Sequence, residues 1–320
     1  MKKLFYAVIV GLGFVGTSCD HVENPFPPAV NVDLDTTIYP GNWSDYVANE
    51  WPDFTLLPND DPDRNALIED YTGHNCPACP AAATVAHGLH EANPSRVFIS
   101  SVHSSNLGMS SFQSVIASIG YTIDFTNENG LDLGIYFGTT LANSGFFANP
   151  SGTVNRTNEG GEYFSAQGNW STRVNNVLAS PLKVSIKAKL NYYETPKKGY
   201  FLHTEIEKDA SITNELGIVV CLIEDSLVGQ QNVSGTAITD YVHRDIFRGS
   251  IDGQVWGRTL TDDMITNGKY YVNYSGIVPD QLAPQGQATT HNAENMHLLI
   301  YVYDKTTLEI YQVIKKKFIP

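Results

Sequence analysis

Residues 66 to 102 read ALIEDYTGHNCPACPAAATVAHGLHEANPSRVFISSV, and this stretch decides the fold. ALIEDY predicts a strand, Tyr71 to Asn75 a turn, the alanine-rich run from Pro77 to Ala92 a helix, and VFISSV at 97 to 102 a second strand. A strand, helix, strand succession favours a parallel pair with the helix packed over it. Such folds place their chemistry in the loop that leaves a strand's carboxyl end and opens a helix. Cys76 and Cys79 sit there, about one helical turn apart. Free N–H groups and the positive end of the helix dipole favour a thiolate on Cys76. Cys79 is then placed to attack a mixed disulfide on Cys76 and release the partner. A fixed disulfide that never turns over is the alternative for the same pair.

A metal reading fails on distance. Cys79, His87 and His90 share one face of the predicted helix and with Cys76 make a Cys2His2 set. His90, however, lies ~16 Å of helical rise from Cys79, too far for one tetrahedral ion. No metal or cofactor is expected.

Asp70 lies six residues ahead of Cys76, and FFANPSGTVNR carries Pro150 ahead of an apparent strand. Together with C-x-x-C these features resemble the thioredoxin fold. The resemblance implies a buried carboxylate at Asp70 that helps Cys79 lose its proton, and a cis-proline at Pro150 facing the cysteines. It also implies a peptide-docking edge that includes Asn149 and Ser151. His74, next to the pair, is a further substrate-side candidate, with a solvent-facing loop position as the plain alternative. Pro77-Ala78 lacks the histidine that strongly oxidising relatives carry between their cysteines, so no extreme oxidant is implied. TGHNCPACP followed by NPSGTVNR resembles the Omp28-related outer-membrane lipoproteins, in which a thioredoxin-like domain precedes a β-rich one. That likeness implies fold and location and leaves the substrate open.

The chain opens MKKLFYAVIVGLGFVGTSC, with Lys2 and Lys3 ahead of 12 apolar residues from Leu4 to Val15. This is the pattern of a secretory signal over residues 1–18, shorter than the ~20 residues a spanning helix needs. GLGFVG at 11 to 16 matches a dinucleotide fingerprint but has no preceding strand and lies in the segment to be removed. The small residues before Cys19 resemble a bacterial lipoprotein cleavage site, which implies lipidation of Cys19 and a membrane anchor in the cell envelope, at the outer membrane. Ordinary signal cleavage with Cys19 a spare thiol is the alternative. A formal net charge of −14 over 320 residues argues against nucleic acid or anionic lipid surfaces as partners. Export places the remaining cysteines outside the reducing cytosol, so the expected partners are thiols or disulfides of exported proteins.

Between Asp20 and Pro62 there are nine acidic residues, no Lys or Arg and seven of the 16 prolines, which predicts an extended tether over residues 19–64. Its aromatics, Trp43, Tyr46, Trp51 and Phe54, suit a second half packed on the following domain. Residues 65–180 are assigned to the thioredoxin-like domain, with an insertion at about 103–147 lying over the site. After Pro181 come strand-like runs such as LKVSIKAKLNYYE, LGIVVCLIED and MHLLIYVYD, which predict an all-β antiparallel sandwich over residues 181–320. The change of character at Pro181 predicts that residues 65–180 fold alone. Cys221 falls within an apolar run and reads as a small buried side chain. The long gap from Ser226 to Gly268 offers Tyr241, His243, Arg248 and Trp256 as a candidate loop for a protein or glycan. The alternative is a loop closed on its own domain. The fold class is thus an α/β thioredoxin-like domain followed by an all-β sandwich. Thiol-disulfide exchange is the leading function, and a surface binding module with a structural disulfide is the alternative.

Overall fold

The structure is a computed structural model that describes residues 34–58, 62–278 and 293–319. The signal segment and Cys19 lie outside the described residues. In chain order the elements are α1 (Trp43–Asn49), β1 (Ala66–Thr72), α2 (Cys79–Ala92), β2 (Val97–His103), α3 (Glu128–Ile135), β3 (Ser151–Val154) and α4 (Trp170–Ala179). The β-rich part follows with β4 (Val184–Tyr193), β5 (Gly199–Lys208), β6 (Leu216–Glu224), β7 (Leu227–Val233), β8 (Thr236–His243), β9 (Ile246–Ser250), β10 (Arg258–Thr259), β11 (Ile265–Thr266), β12 (Lys269–Ile277), β13 (Met296–Asp304) and β14 (Ile310–Lys317). Among the described residues no helix is long and apolar enough to cross a membrane.

The α/β region forms as expected. β1 pairs in parallel with β2 and antiparallel with β3. α2 buries Cys79, Ala82 and Ala86, three and four residues apart, against this sheet. Its small side chains let the helix lie close over Ala66, Ile68, Val97 and Ile99, and α4 completes that layer with Trp170, Val174 and Val177.

The β-rich region is antiparallel. One sheet has the order β11-β12-β5-β4. A second runs β14-β13-β6-β9-β2-β1-β3, with β10 also paired to β6, so strands from both halves of the chain share it, and β7 and β8 form a third. The junction is β9 beside β2, in parallel at Ser101 and Ile246, where the Ser101 N–H donates to the Asp245 carbonyl at 2.7 Å. β6 and β13 are apolar on both faces because both faces are covered. Ile218, Val220, Leu298 and Ile300 point into the sandwich core with β4, β5 and β12. Val219, Cys221, Leu299 and Tyr301 point the other way, into a core shared with Leu67, Tyr71, Phe98 and Val102 of β1 and β2. One buried cluster therefore spans the boundary near residue 181, drawing side chains from both the α/β and the β-rich residues.

The buried ion pair of Arg156 and Glu69 fixes the same junction. Arg156 donates to Glu69 at 2.8 and 2.6 Å and to the Tyr301 hydroxyl at 3.1 Å. Its guanidinium lies 5.3 to 5.6 Å from the ring centres of Phe137, Trp256 and Tyr301.

The acidic segment departs from an extended run over 43–49, where α1 forms. Burial outweighs composition here. Tyr46 is fully buried, packs on Phe201, and sets its hydroxyl 2.6 Å from His203 Nε2. The segment thus packs on β5, past the α/β region that follows it in sequence.

Candidate thiol-disulfide site

Cys76 and Cys79 form a disulfide where the turn after β1 enters α2. Each is only 1% exposed. Two segments account for that burial. The first lies at 110–114, within the stretch expected to cover the site. The Asn75 N–H donates to the Phe112 carbonyl at 2.9 Å, and Gln113 Nε2 donates to the Thr72 carbonyl at 2.7 Å. Gly73 permits this approach, because a Cβ there would stand 2.6 Å from the Phe112 carbonyl oxygen.

The second is the β7–β8 hairpin. Asn232 N–H donates to the His74 carbonyl at 2.8 Å, and Ser234 N–H to the Pro77 carbonyl at 3.0 Å. Gln231 Nε2 donates to the Cys76 carbonyl at 3.2 Å and to that of Gly73 at 3.4 Å. The hairpin therefore follows the backbone from 73 to 77 like an added strap. In the sequence, 226–268 reads as one gap between strands, and the structure places this hairpin inside it. The signal was the Ser234-Gly235 pair, whose φ values of 51° and 88° form the turn. Both central residues at positive φ suit a tight two-residue hairpin.

A cleft of about 830 Å³ opens beside α2 and is lined by Asp70, Cys79, His103, Tyr241, His243 and Asp245 among others. Cys76 does not line it. Asp70 is buried, and burial pushes its carboxyl up to about 7. Its Oδ1 has no hydrogen-bond partner among the described residues. His103 Nδ1 and His243 Nε2 are likewise buried without a partner among those residues. Burial holds His243 down at about 4 and His103 well below its ordinary range, so both imidazoles are neutral near pH 7. Burial, and then the nearby Asp70 charge, raises the Tyr241 hydroxyl. Asp245 is raised to about 6, chiefly by burial.

The Asn149-Pro150 bond is cis. Pro150 lines a second cleft of about 630 Å³ with Phe147, Ala148 and Ser151, and neither cysteine lines it. Asn149, expected on the docking edge, instead ties the loop down: Nδ2 donates to the Tyr71 and Ser104 carbonyls at 2.9 and 2.8 Å. Ser151 is buried and pairs with Tyr71 in the sheet. His74 is neither a solvent-facing residue nor an open substrate contact. It is buried, its Nε2 lies 3.0 Å from the Ser114 carbonyl, and its ring stacks on Tyr121. Burial lowers its pKa.

The four residues considered for a ligand loop separate into two places. Tyr241 and His243 lie on β8 and face the cleft beside Cys79. Arg248 is buried against Glu224 at 3.1 Å, and Trp256 is buried against Tyr136. Cys221 is free and buried, as its apolar run suggested. The helix histidines are engaged elsewhere: His90 Nδ1 lies 2.6 Å from the Val97 carbonyl and His87 Nδ1 lies 3.7 Å from the Asp245 carboxylate. Phe125 packs against both the His103 and His243 rings, at 4.9 and 4.2 Å, and the two imidazoles lie 6.0 Å apart. Among the described residues no set of three or more ligating side chains converges on one point.

HBP35 of Porphyromonas gingivalis is a similar solved structure, at 17% identity and a TM-score of 0.59, covering 80% of this chain and 76% of its own, which is a likeness of fold. A domain of the outer membrane lipoprotein Omp28 from the same organism covers 42% of this chain and 87% of its own, at 22% identity and a TM-score of 0.27. No curated protein matches the chain. The family described as outer membrane protein Omp28 matches residues 140–319, from the segment ahead of Pro150 to just past β14, and does not include Cys76 and Cys79. With more than half of its length matched, the chain belongs to the Omp28 family and so to the outer membrane of the cell envelope.

Proposed function

We propose that this protein carries out thiol-disulfide exchange through Cys76 and Cys79 on thiols and disulfides of the envelope, including those of exported proteins. Residues 1–18 direct export, and lipid on Cys19 holds the protein at the membrane. The observation that carries the reading is Asp70, a buried carboxyl that shares a cleft with Cys79 and has one oxygen without a partner among the described residues. A staple has no use for a base, and burying a carboxyl is costly. In exchange, a thiolate bonds to one sulfur of the pair and the other leaves as a thiolate. A second thiol then attacks the mixed disulfide, so the pair takes up two electrons as two thiols become a disulfide. Cys76, in the turn three residues ahead of α2, acts as the attacking thiolate, and Asp70 exchanges the proton of Cys79.

The closed position of both sulfurs favours the second reading, a structural disulfide. The reduction potential separates the two. Equilibration with dithiol buffers is expected to place the pair within roughly −270 to −120 mV, the span of known exchange proteins, and a value below roughly −300 mV would mark a staple.

A further inference from the structure

Both cysteines are only 1% exposed, but their surroundings differ. Above Cys76 lie the β7–β8 hairpin and the 110–114 segment, whereas the 830 Å³ cleft runs to Cys79. Resting on the exchange reading, we infer that this cleft admits low-molecular-weight cationic thiols, which attack Cys79 Sγ and expel Cys76 as the thiolate. That order reverses the one implied by the thioredoxin resemblance, in which Cys76 forms the mixed disulfide.

Attack on a disulfide is in line, so a nucleophile bound for Cys79 must come from the side away from Cys76. Access and the leaving thiol's acidity then govern the rate. The cleft supplies the access, and its volume suits a small molecule rather than a folded partner. Attack at Cys79 makes Cys76, in the turn three residues ahead of α2, the leaving thiolate. Asp70 Oδ1, His103 Nδ1 and His243 Nε2 are buried polar atoms of residues lining the cleft, without partners among the described residues, which an incoming polar molecule can satisfy. Asp70 takes the proton of the incoming S–H. The S–S bond of the pair breaks as the new bond to Cys79 forms, and Cys76 keeps the electron pair. A second small thiol attacks the sulfur carried on Cys79, leaves as the small disulfide, and returns Cys79 as a thiol. The preference for cations comes from the cleft's charges. Arg244 is engaged with Asp225 at 3.6 Å, which leaves the lining carboxylates Glu91 and Asp245 against Lys315, with His87 Nδ1 3.7 Å from Asp245.

The test uses the full oxidised chain carrying Cys19→Ala, with cysteamine as the cationic probe and 3-mercaptopropionate as the anionic one. Acid-quenched samples are mapped by mass spectrometry. The adduct is expected on Cys79 in at least a tenfold excess, and cysteamine is expected to react several-fold faster than mercaptopropionate after correction for thiol pKa. In the reduced state, Cys76→Ser should form a mixed disulfide with cystamine at least tenfold faster than Cys79→Ser. Cys76→Ala provides the same readout should the serine variant not fold. An adduct mainly on Cys76, or a faster Cys79→Ser protein, overturns the inference and leaves exchange standing. Equal rates for the two probes overturn the cationic assignment. No adduct on either sulfur overturns the inference, and it removes the proposed function as well only where the potential is that of a staple.

Discussion

Asp70 shows how one buried carboxyl ties stability to chemistry. In the unfolded chain it titrates near ~3.9, and in the fold burial raises it to about 7. Between those values the folded protein holds a proton that the unfolded chain has released. The stability associated with the neutral carboxyl is therefore complete below pH ~4 and lost as pH rises toward 7. Asp70→Asn has no such loss. Urea unfolding of the oxidised protein is expected to show the variant gaining on the wild type across this window by up to ~1.4 kcal/mol per pH unit, and a constant difference would show that Asp70 is not desolvated. His243, held at about 4, acts in the opposite sense, since its neutral form is stabilising above pH ~6.5 and that contribution falls as the pH drops. Arg156 is the other decisive residue. Arg156→Met leaves Glu69 as an uncompensated buried charge, with an expected loss of about 3–5 kcal/mol in denaturant unfolding. The double variant Glu69→Leu, Arg156→Met should recover much of it. A single variant as stable as wild type would contradict the pairing. The sequence shows Arg156 in NPSGTVNR but gives no sign that its partner stands 87 positions away in β1.

At the scale of elements, the hairpin is what distinguishes this site from an open C-x-x-C loop. Its hold on the 73–77 backbone includes the two bonds from Gln231 Nε2. At about 1 kcal/mol each, their removal in Gln231→Ala should raise the open population on the order of 5–30-fold. The readout is the rate at which a bulky maleimide modifies Cys76 in the reduced protein. An unchanged rate would mean that the hairpin does not gate the sulfur. β1, α2 and β2 were legible because period and turn residues mark them strongly. β7 was not, since VGQQNV carries polar residues where a strand's buried face is usually apolar. Its inward side contacts backbone carbonyls and the cysteine loop rather than a hydrophobic core, so no apolar pattern was needed. α1 was obscured for the converse reason: an acidic, proline-rich composition hides the few aromatic side chains that anchor it.

Across the whole molecule, the runs LGIVVCLI and MHLLIYVY already carried the sign of a shared core, because a strand facing water on one side alternates and these do not. What the sequence could not supply was the layer on the second face, which is the α/β region itself. An isolated fragment of residues 62–180 loses that layer. It exposes Leu67, Tyr71, Phe98 and Val102, which pack with Val219, Leu299 and Tyr301 in the full chain. It also loses β9 from the edge of β2, the bonds from Arg64 and Asn65 to residues 309–313, and the Tyr301 contact of Arg156. The apolar area laid bare is large, and each side chain fully exposed costs roughly 1.5–3 kcal/mol, against a total stability of only about 5–15 kcal/mol for a domain. The fragment is therefore expected to lack a cooperative transition, to bind a hydrophobic dye, and to lose its near-ultraviolet circular dichroism. The full chain should instead unfold with its disulfide and both halves in one transition followed by any probe. A fragment that melts sharply with native aromatic dichroism would show that the α/β layer is an independent domain after all, and that the second face of β6 and β13 is a docking surface rather than part of the core.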